Sequence, residues 1–251
     1  MPEKQEYRRI LPSFDLEAME EFSAHQLLTW GLKNFHPKLA LSASFGAPEG
    51  MVLLDMMHRI EPTSRVFVLD TGRLHAATHD LIDRVRDHYD IQVEVVPPDG
   101  PDLAVMLRER GMNLFHESVE NRKLCCRIRK VEPMRRFVSG LDAYVSGLRR
   151  DQNLNRQNTP KVELDVANGN LLKLNPLADW TRSQVMDYAV EHGVPTNRLH
   201  KEGFPSVGCE PCTRAIHPGE AERSGRWWWE AEGEKECGLH LPDEHEGGSG
   251  I

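Results

Sequence analysis

Several features that would assign this chain to a common class are missing from its 251 residues. No run approaches the roughly 20 apolar residues of a membrane-spanning helix. The opening M-P-E-K-Q-E-Y-R-R is strongly charged and no apolar segment follows it, so we expect no secretory signal peptide. Lysine and arginine number 31 against 39 aspartates and glutamates, a formal net charge of −8. This acidic balance disfavours nucleic-acid binding, and any anion site must be a local basic patch. We therefore expect neither a membrane nor a nucleic acid as a partner.

Cysteine is scarce, and the placing of the five residues is the most informative feature of the chain. We expect a reducing, cytoplasmic compartment, where cysteines bind metals or perform chemistry more often than they form disulfides. Two of them are adjacent, two form a C-E-P-C motif, and one stands alone in K-E-C-G-L-H. In that order they are Cys125, Cys126, Cys209, Cys212 and Cys237.

Four of these thiolates suffice for one iron–sulfur cluster or one zinc ion. Neighbouring residues on a helix point about 100° apart, so Cys125 and Cys126 would be strained as ligands of one zinc ion, whereas a cubane offers each a separate iron corner. Four basic residues crowd this pair and suit the negative charge of a cluster: Lys123, Arg127, Arg129 and Lys130. The chemistry favours a cluster over zinc, with unligated core cysteines as a third alternative. The cysteine left over, Cys237, is then a candidate nucleophile.

Strand-like and helical segments alternate along most of the chain. Short, apolar, β-branched runs predict strands, and longer runs with apolar residues on one face predict helices. We expect strands at 38–45, 65–69, 91–96 and 142–146, and helices at 15–33, 48–60, 75–88, 102–110, 121–139 and 181–192. Pro133 is expected to kink the helix at 121–139, and Asn168-Gly169 predicts a hairpin between 162–166 and 171–174. This order predicts an α/β fold, a mostly parallel twisted sheet with helices on both faces.

Residues 42–47, S-A-S-F-G-A, form a glycine turn between the first predicted strand and its helix. Ligands of α/β sheets bind at the carboxyl ends of the strands, and backbone N–H groups at a helix N-terminus favour an anion there. The Gly-Lys-Ser/Thr ending of a Walker A loop and the G-x-G-x-x-G pattern are both absent. By itself the turn is equally well explained as a tight connection. It resembles the modified phosphate loop of the adenosine-nucleotide α-hydrolase-like fold.

Four motifs taken together resemble those of the assimilatory adenylyl-sulfate reductases. These enzymes belong to the sulfonucleotide reductase family, which also contains the 3′-phosphoadenylyl-sulfate (PAPS) reductases. The motifs are C-C-R-I-R-K-V-E-P, S-V-G-C-E-P-C-T-R, G-E-A-E-R-S-G-R-W-W-W-E and K-E-C-G-L-H, and the resemblance runs in matching order from Leu41 to His240. Most PAPS reductases share the last motif but lack the paired cysteines. The turn G-A-P-E-G-M is one residue longer than the family's G-A-E-D-M form.

The resemblance implies an enzyme that reduces adenosine 5′-phosphosulfate (APS) to sulfite and AMP with electrons from reduced thioredoxin, in sulfate assimilation and cysteine biosynthesis. It implies one [4Fe–4S] cluster on the four paired cysteines, in an electrostatic and structural role. Cys237 would attack the sulfur and carry the sulfonate as S-sulfocysteine. One α/β domain would span 1–226, followed by a mobile catalytic segment at 227–251 whose end we expect to be disordered.

The resemblance also implies which residues bind the substrate. Lys130 is the candidate to bridge cluster and substrate, and Arg223 and Arg226 resemble the arginines that bind the phosphosulfate. The remaining candidates are Ser42, Ser44, Phe45 and Gly46 of the glycine turn, and Arg149 at the end of a predicted strand. His240 is a candidate for catalytic assistance, although a plain tail histidine explains it equally well. Burial in the core is the simpler explanation for Trp227–Trp229.

Three alternatives remain open at this point. The enzyme could reduce PAPS, or both nucleotides, since no residue decides this directly. An ATP pyrophosphatase-type ligase or tRNA-thiolation enzyme of the same fold is disfavoured, because the S-G-G-x-D-S loop of such enzymes is absent. A non-catalytic, zinc-stabilised binding module would leave Cys237 without a role. The sequence does not set the oligomeric state, and a homo-oligomer is compatible with it.

Overall fold

The computed structural model describes residues 15–231 and Leu239. In this part of the chain, six strands form one sheet in the order β3-β2-β1-β4-β6-β5. The strands are β1 (Leu39–Ser42), β2 (Arg65–Leu69), β3 (Val93–Val96), β4 (Ala143–Val145), β5 (Val162–Asp165) and β6 (Leu171–Leu174). Neighbouring strands are parallel except β5 and β6, which form the predicted antiparallel hairpin. The predicted α/β fold with a mostly parallel sheet is confirmed.

Seven α-helices fall within the described residues, and most lie close to their predicted positions. They are α1 (Ala24–Phe35), α2 (Pro48–Ile60), α3 (Ala76–Tyr89), α4 (Gly100–Arg110), α5 (Val119–Cys126), α6 (Glu132–Val138) and α7 (Arg182–Glu191). Helix α2 has the predicted bounds, with Pro48 in its first turn. Thr181 caps α7 as predicted, because its hydroxyl accepts a hydrogen bond from the backbone N–H of Gln184.

The prediction of one helix over 15–33 is wrong. Ser23 has an extended backbone, and its hydroxyl accepts a hydrogen bond from the N–H of Gln26 at 3.2 Å. The Gln26 side chain accepts one in return from the Ser23 N–H at 2.8 Å. This capping box starts a new helix at Ala24 and leaves only a short 3₁₀ turn, Ala18–Glu21, ahead of it.

The segment predicted as one kinked helix at 121–139 is a continuous helical run over 119–138 with a π-helical turn in its middle. Helix α5 ends at Cys126, the turn Arg127–Val131 is π-helical, and α6 follows. Pro133 lies just beyond this turn, has no N–H to donate and crowds the carbonyl four residues earlier. The wider turn carries Arg129 and Lys130, so it sets the direction of both cations relative to the cysteine pair.

Side chains alternate between the two faces of the sheet. Leu39 and Leu41 of β1 pack on one face with apolar residues of α1, α2, α3 and α7. Ala40 lies on the opposite face with Phe67 and Tyr144, against α6. Each fully buried leucine-sized side chain contributes about 1.5–3 kcal/mol. Helices therefore cover both faces of the sheet, as predicted, and hold the strand ends in fixed positions.

From β1 the chain continues to β2 and β3 on one side of the sheet, and from β4 it continues to β5 and β6 on the other side. Strands β1 and β4 are hydrogen-bonded neighbours, so the direction of the strand order reverses between them. In open α/β sheets, ligands bind beyond the carboxyl ends of the strands at such a point. The residues that follow β1, β2 and β4 are therefore the place to look for a site. Among the helices of the described residues, none has the length and apolar character needed to span a membrane.

Candidate functional site

A cavity of about 180 Å³ opens at the carboxyl ends of β1, β2 and β4. The turn after β1, the residues after β2 and segment 146–148 after β4 contribute to its lining. Further lining residues come from distant parts of the chain, among them Lys130, segment 206–209, Glu222, Arg223, Arg226 and Trp227. The cavity therefore combines a sheet edge and a helix N-terminus with residues that are distant in the sequence.

The turn after β1 is held by hydrogen bonds from distant parts of the chain. Phe45 is fully buried with a left-handed backbone (φ 54°), and its carbonyl accepts a hydrogen bond from the Asn197 side chain at 3.1 Å. The Gly46 carbonyl accepts one from the Val207 N–H at 2.8 Å. A Cβ at position 46 would lie 2.1 Å from the Val207 oxygen, so only glycine fits without a shift. Ser42 and Ser44 line the cavity, whereas Phe45 and Gly46 are not among its lining residues.

Four basic side chains contribute to the cavity wall: Lys130, Arg156, Arg223 and Arg226. Three of them are sequence candidates, but Arg156 was missed. It lies in a polar stretch that the sequence presents only as a loop, and it is buried there, with its guanidinium donating to the Gln152 side chain at 2.6 Å. In the sequence, the only feature of Arg156 that could have suggested a binding role is its positive charge. The cavity lining therefore combines four cations with Ser42 and Ser44 of the turn after β1 and with the carboxylates Glu49 and Glu222.

Arg149 is not on the cavity wall. It is fully buried, and its guanidinium pairs with Glu49 at 2.7 Å, with Glu222 at 3.0 Å and with Asp151. Burial alone would lower the pKa of Arg149, but these carboxylates hold it above its ordinary value. Two of these carboxylates, Glu49 and Glu222, line the cavity, and the expected contact of Arg149 with an anionic ligand stays a prediction.

Four cysteines converge beside this cavity, although Cys209 follows Cys126 by 83 positions in the sequence. Cys125 and Cys126 end α5, Cys209 directly precedes the 3₁₀ turn Glu210–Cys212, and Cys212 ends that turn. All four are buried in one apolar cluster that includes Phe115 and Trp227. They line a second, smaller pocket, and Lys130, Cys209 and Trp227 line both it and the larger cavity.

Cationic groups surround the four thiols, which have unequal acidities. Burial raises the pKa of Cys125 and raises that of Cys212 to about 12. Burial also works against ionisation of Cys209, but Lys130, the Thr71 hydroxyl at 3.2 Å and two arginines outweigh it, so its pKa lies below the ordinary value. Arg129 is buried and donates to the Thr71 carbonyl at 2.6 Å. The thiols are the residues here able to hold a metal group, in a positively charged setting.

No set of three or more His, Cys, Asp or Glu side chains in residues 15–231 has the arrangement that would bind a metal ion. The four cysteines are free thiols in a pocket whose lining contains basic side chains but no histidine or carboxylate. The donor set is therefore purely sulfur, which suits soft metals rather than magnesium or calcium.

Cys237 and His240 lie outside the residues that the structure describes, so their predicted roles stay predictions. Leu239, between them, is described. It lines the larger cavity and packs against the group of buried apolar residues that contains Met134 and Tyr144.

The chain is similar to proteins of known activity. A family model for the phosphoadenosine phosphosulfate reductase domain matches residues 38–215. An adenosine 5′-phosphosulfate reductase of Burkholderia cepacia is 46% identical over 206 residues, covering 82% of each chain. One from Allochromatium vinosum is 43% identical over 228 residues, covering 91% of this chain and 88% of the other. A crystal structure of the PAPS reductase of Candida auris, a phosphate complex, matches with a TM-score of 0.67 at 26% identity, covering 80% of this chain and 96% of that one.

Proposed function

Since this chain belongs to the phosphoadenosine phosphosulfate reductase family, we propose that it reduces APS to sulfite and AMP with electrons from reduced thioredoxin. The observation that carries the proposal is the cavity at the sheet edge, which is lined by Ser42 and Ser44 together with Lys130, Arg223 and Arg226. Hydroxyls and cations that line one strand-end cavity suit a nucleotide that carries adjacent acidic groups.

The preference for APS over PAPS rests on two observations. Both curated relatives compared above are named adenosine 5′-phosphosulfate reductases. The paired cysteines that accompany APS reduction in the family are present and converge beside the cavity. PAPS reduction, or the use of both nucleotides, is the second candidate, because the solved relative is a PAPS reductase.

We propose one [4Fe–4S] cluster on Cys125, Cys126, Cys209 and Cys212. The residues fit this group: four buried thiols share one pocket, and Arg129 and Lys130 beside them balance the negative charge that four thiolates give a cubane. A cubane offers separate iron corners, so its ligands need not surround a single ion. When bound, the cluster would supply a fixed charge distribution beside the cavity, and no electron need pass through it.

The chemistry is assigned to Cys237. Its thiolate attacks the sulfur of the phosphosulfate, an S–S bond forms, the S–O bond to phosphate breaks, and AMP leaves with the electron pair. One thiol of reduced thioredoxin then attacks the S-sulfocysteine and releases sulfite. The mixed disulfide is resolved by the second thioredoxin thiol, which restores Cys237 and leaves oxidised thioredoxin. The position of Leu239, two residues away, on the cavity wall supports the assignment of this segment to the site.

The remaining residues receive supporting roles. Lys130 lines both pockets, which suits contact with the sulfate group and with the cysteine site together. Arg223 and Arg226 hold the phosphosulfate, and His240 assists the transfer. Phe45 and Gly46 shape the turn rather than touch the ligand, and Arg149 orders the carboxylates Glu49 and Glu222 along the wall. We propose a cytoplasmic enzyme of sulfate assimilation with its catalytic segment at 227–251.

The test is sulfite formation by the anaerobically purified protein with reduced thioredoxin. We expect sulfite and AMP in equal amounts from APS, and a higher kcat/KM for APS than for PAPS when the two compete at equal concentrations. Equal or reversed values would favour the second candidate. A protein that makes no sulfite from either nucleotide would support the non-catalytic alternative.

A further inference from the structure

Trp227 contacts two guanidinium groups. The carbon at the centre of the Arg122 guanidinium and that of Arg226 are each 4.8 Å from the Trp227 ring. The indole is 1% exposed, and its backbone is left-handed (φ 42°), an unfavourable conformation for a bulky residue. Such a conformation persists where the surroundings fix it, so the ring is held in a defined place.

Arg122 is fixed in turn by a carboxylate. Its Nε and one terminal nitrogen donate to the two oxygens of Glu230 at 2.9 and 2.7 Å, a bidentate pair. Both side chains are almost completely buried, at 0% and 2% exposed. Contacts thus lead from Glu230 to Arg122, from Arg122 to Trp227 and from Trp227 to Arg226, which lines the larger cavity. We call these four side chains the column.

Arg226 depends on this column for its position. Its Nη1 donates a long hydrogen bond, 3.4 Å, to the hydroxyl of Ser206. Its Nε is buried without a hydrogen-bond partner in the described part of the chain. On another side the backbone of Gly208 is so close that a Cβ there would lie 2.3 Å from Nη2. The guanidinium is therefore placed by stacking and close packing, which leaves donors available for an anion.

The charges of the column favour the same arrangement. Two guanidinium groups in contact with one ring repel each other, but the Glu230 carboxylate neutralises Arg122. The column then carries one net positive charge, on Arg226, at the end that lines the cavity. Without the carboxylate, Arg226 would lie near a buried, uncompensated cation in contact with the same ring.

We propose that Glu230, Arg122 and Trp227 are positioning residues that orient Arg226 toward the anionic groups of the nucleotide. This inference rests on the proposed function in one respect, namely that the ligand is a nucleotide with adjacent anionic groups. None of the three need touch the substrate. They act by fixing the plane of one guanidinium, on which bidentate contact with phosphate or sulfate depends.

The test measures nucleotide binding and needs no turnover. ADP supplies two adjacent anionic groups, and adenosine supplies none. The double variant Arg122→Met/Glu230→Met removes one charge of each sign, so the net charge is unchanged. Replacement of a buried ion pair by apolar residues of similar size is often neutral for stability, which keeps the variant folded. We expect its affinity for ADP to fall about tenfold, and its affinity for adenosine to change less than about twofold.

Two further variants and a control complete the design. Gly208→Ala adds a methyl group 2.3 Å from Nη2 of Arg226, so the guanidinium must move. This variant should show the same selective loss of affinity for ADP. Trp227→Phe keeps an aromatic face and should retain more ADP affinity than Trp227→Leu. The control is Arg65→Met/Glu94→Met, a partly exposed bidentate pair between β2 and β3 that does not line the larger cavity, and it should bind both ligands like the wild type.

Wild-type affinity for ADP in the folded double variant would overturn the inference. An equal loss for ADP and adenosine would also overturn it, because it would indicate a general structural role. Absence of ADP binding by the wild-type protein would contradict the anion site itself. The proposed function is judged separately, by whether the wild-type protein makes sulfite.

Discussion

The hydroxyl of Thr71 lies 3.2 Å from the sulfur of Cys209. Thr71 follows β2 and lines the larger cavity, and Cys209 lines both that cavity and the cysteine pocket. The end of a central strand is thus joined directly to the second cysteine pair. A change in the ionisation or metal binding of Cys209 will therefore affect the larger cavity through its direct contact with Thr71.

The first prediction concerns metal content. Protein purified without oxygen should contain about four iron and four sulfide ions per chain, with broad visible absorbance. Cys209→Ser should lose most of the iron, since it removes a ligand at the wall between the two sites. Cys237→Ser is the matched control and should keep its iron. One zinc ion per chain without sulfide would contradict the cluster.

The second prediction concerns the turn after β1. Gly46→Ala places a methyl group 2.1 Å from the Val207 oxygen, so the backbone must shift. We expect a loss of stability of about 1–3 kcal/mol and weaker nucleotide binding, measured by denaturant unfolding and calorimetry. Gly100→Ala is the control, because nothing lies within 4 Å of its added methyl group. Unchanged ADP affinity in Gly46→Ala would contradict the role given to this turn.

Local signals in the sequence were sufficient for much of the fold. Helix α2 and strand β2 have their predicted bounds. A proline marks the start of α2, an apolar run marks β2, and no conflicting pattern overlaps either of them. The helix predicted over 15–33 was wrong because Ser23 and Gln26 form a capping box within a continuous apolar pattern. The π-helical turn at Arg127–Val131 could not be read from Pro133, which predicts a disturbance but not its geometry.

The third prediction concerns acid stability. Asp55 is buried and accepts hydrogen bonds from Arg59 at 2.7 Å, Tyr188 at 2.8 Å and Tyr89 at 3.1 Å. Burial works to raise the pKa of Asp55, but these donors hold it below its ordinary value of 3.8. Because the folded-state pKa is the lower one, this stabilisation is present above pH 3.8 and is lost as pH falls through the folded-state pKa.

Asp55→Asn should therefore reduce the free energy of unfolding by about 2 kcal/mol at neutral pH. The difference from wild type should shrink below pH 3.8. Asp83→Asn, which breaks an exposed pair with Arg86, is the control and should change stability by less than about 1 kcal/mol. A difference that stays constant as the pH is lowered would show that the carboxylate charge is not responsible.

The site was less predictable than the fold, because its contacts join distant parts of the chain. The sequence singled out the four cysteines, and the fold brings them into one pocket. It could not show that Arg149 is held by Glu49, 100 residues earlier, and by Glu222, 73 residues later. The pairing of Arg122 with Glu230, 108 residues apart, carries no local signal either. Arg156 was missed for the same reason, since only the folded chain puts it on the cavity wall.

The central claim is that Cys237 performs the chemistry. Cys237→Ser should keep its iron and still bind ADP, yet form no sulfite, because a hydroxyl cannot replace the attacking thiolate. Arg127→Ala changes an exposed residue beside the cysteine pair and should retain sulfite formation. Near-normal sulfite production by Cys237→Ser would remove this thiol from the mechanism.

The most direct measurement is mass spectrometry of the wild-type protein after incubation with APS and without thioredoxin. The account predicts that the peptide containing Cys237 gains the mass of one SO₃ group, and that added reduced thioredoxin removes it with release of sulfite. The Cys237→Ser protein should show no such gain. A sulfonate on any other cysteine, or an unmodified Cys237 in protein that turns over APS, would contradict the account.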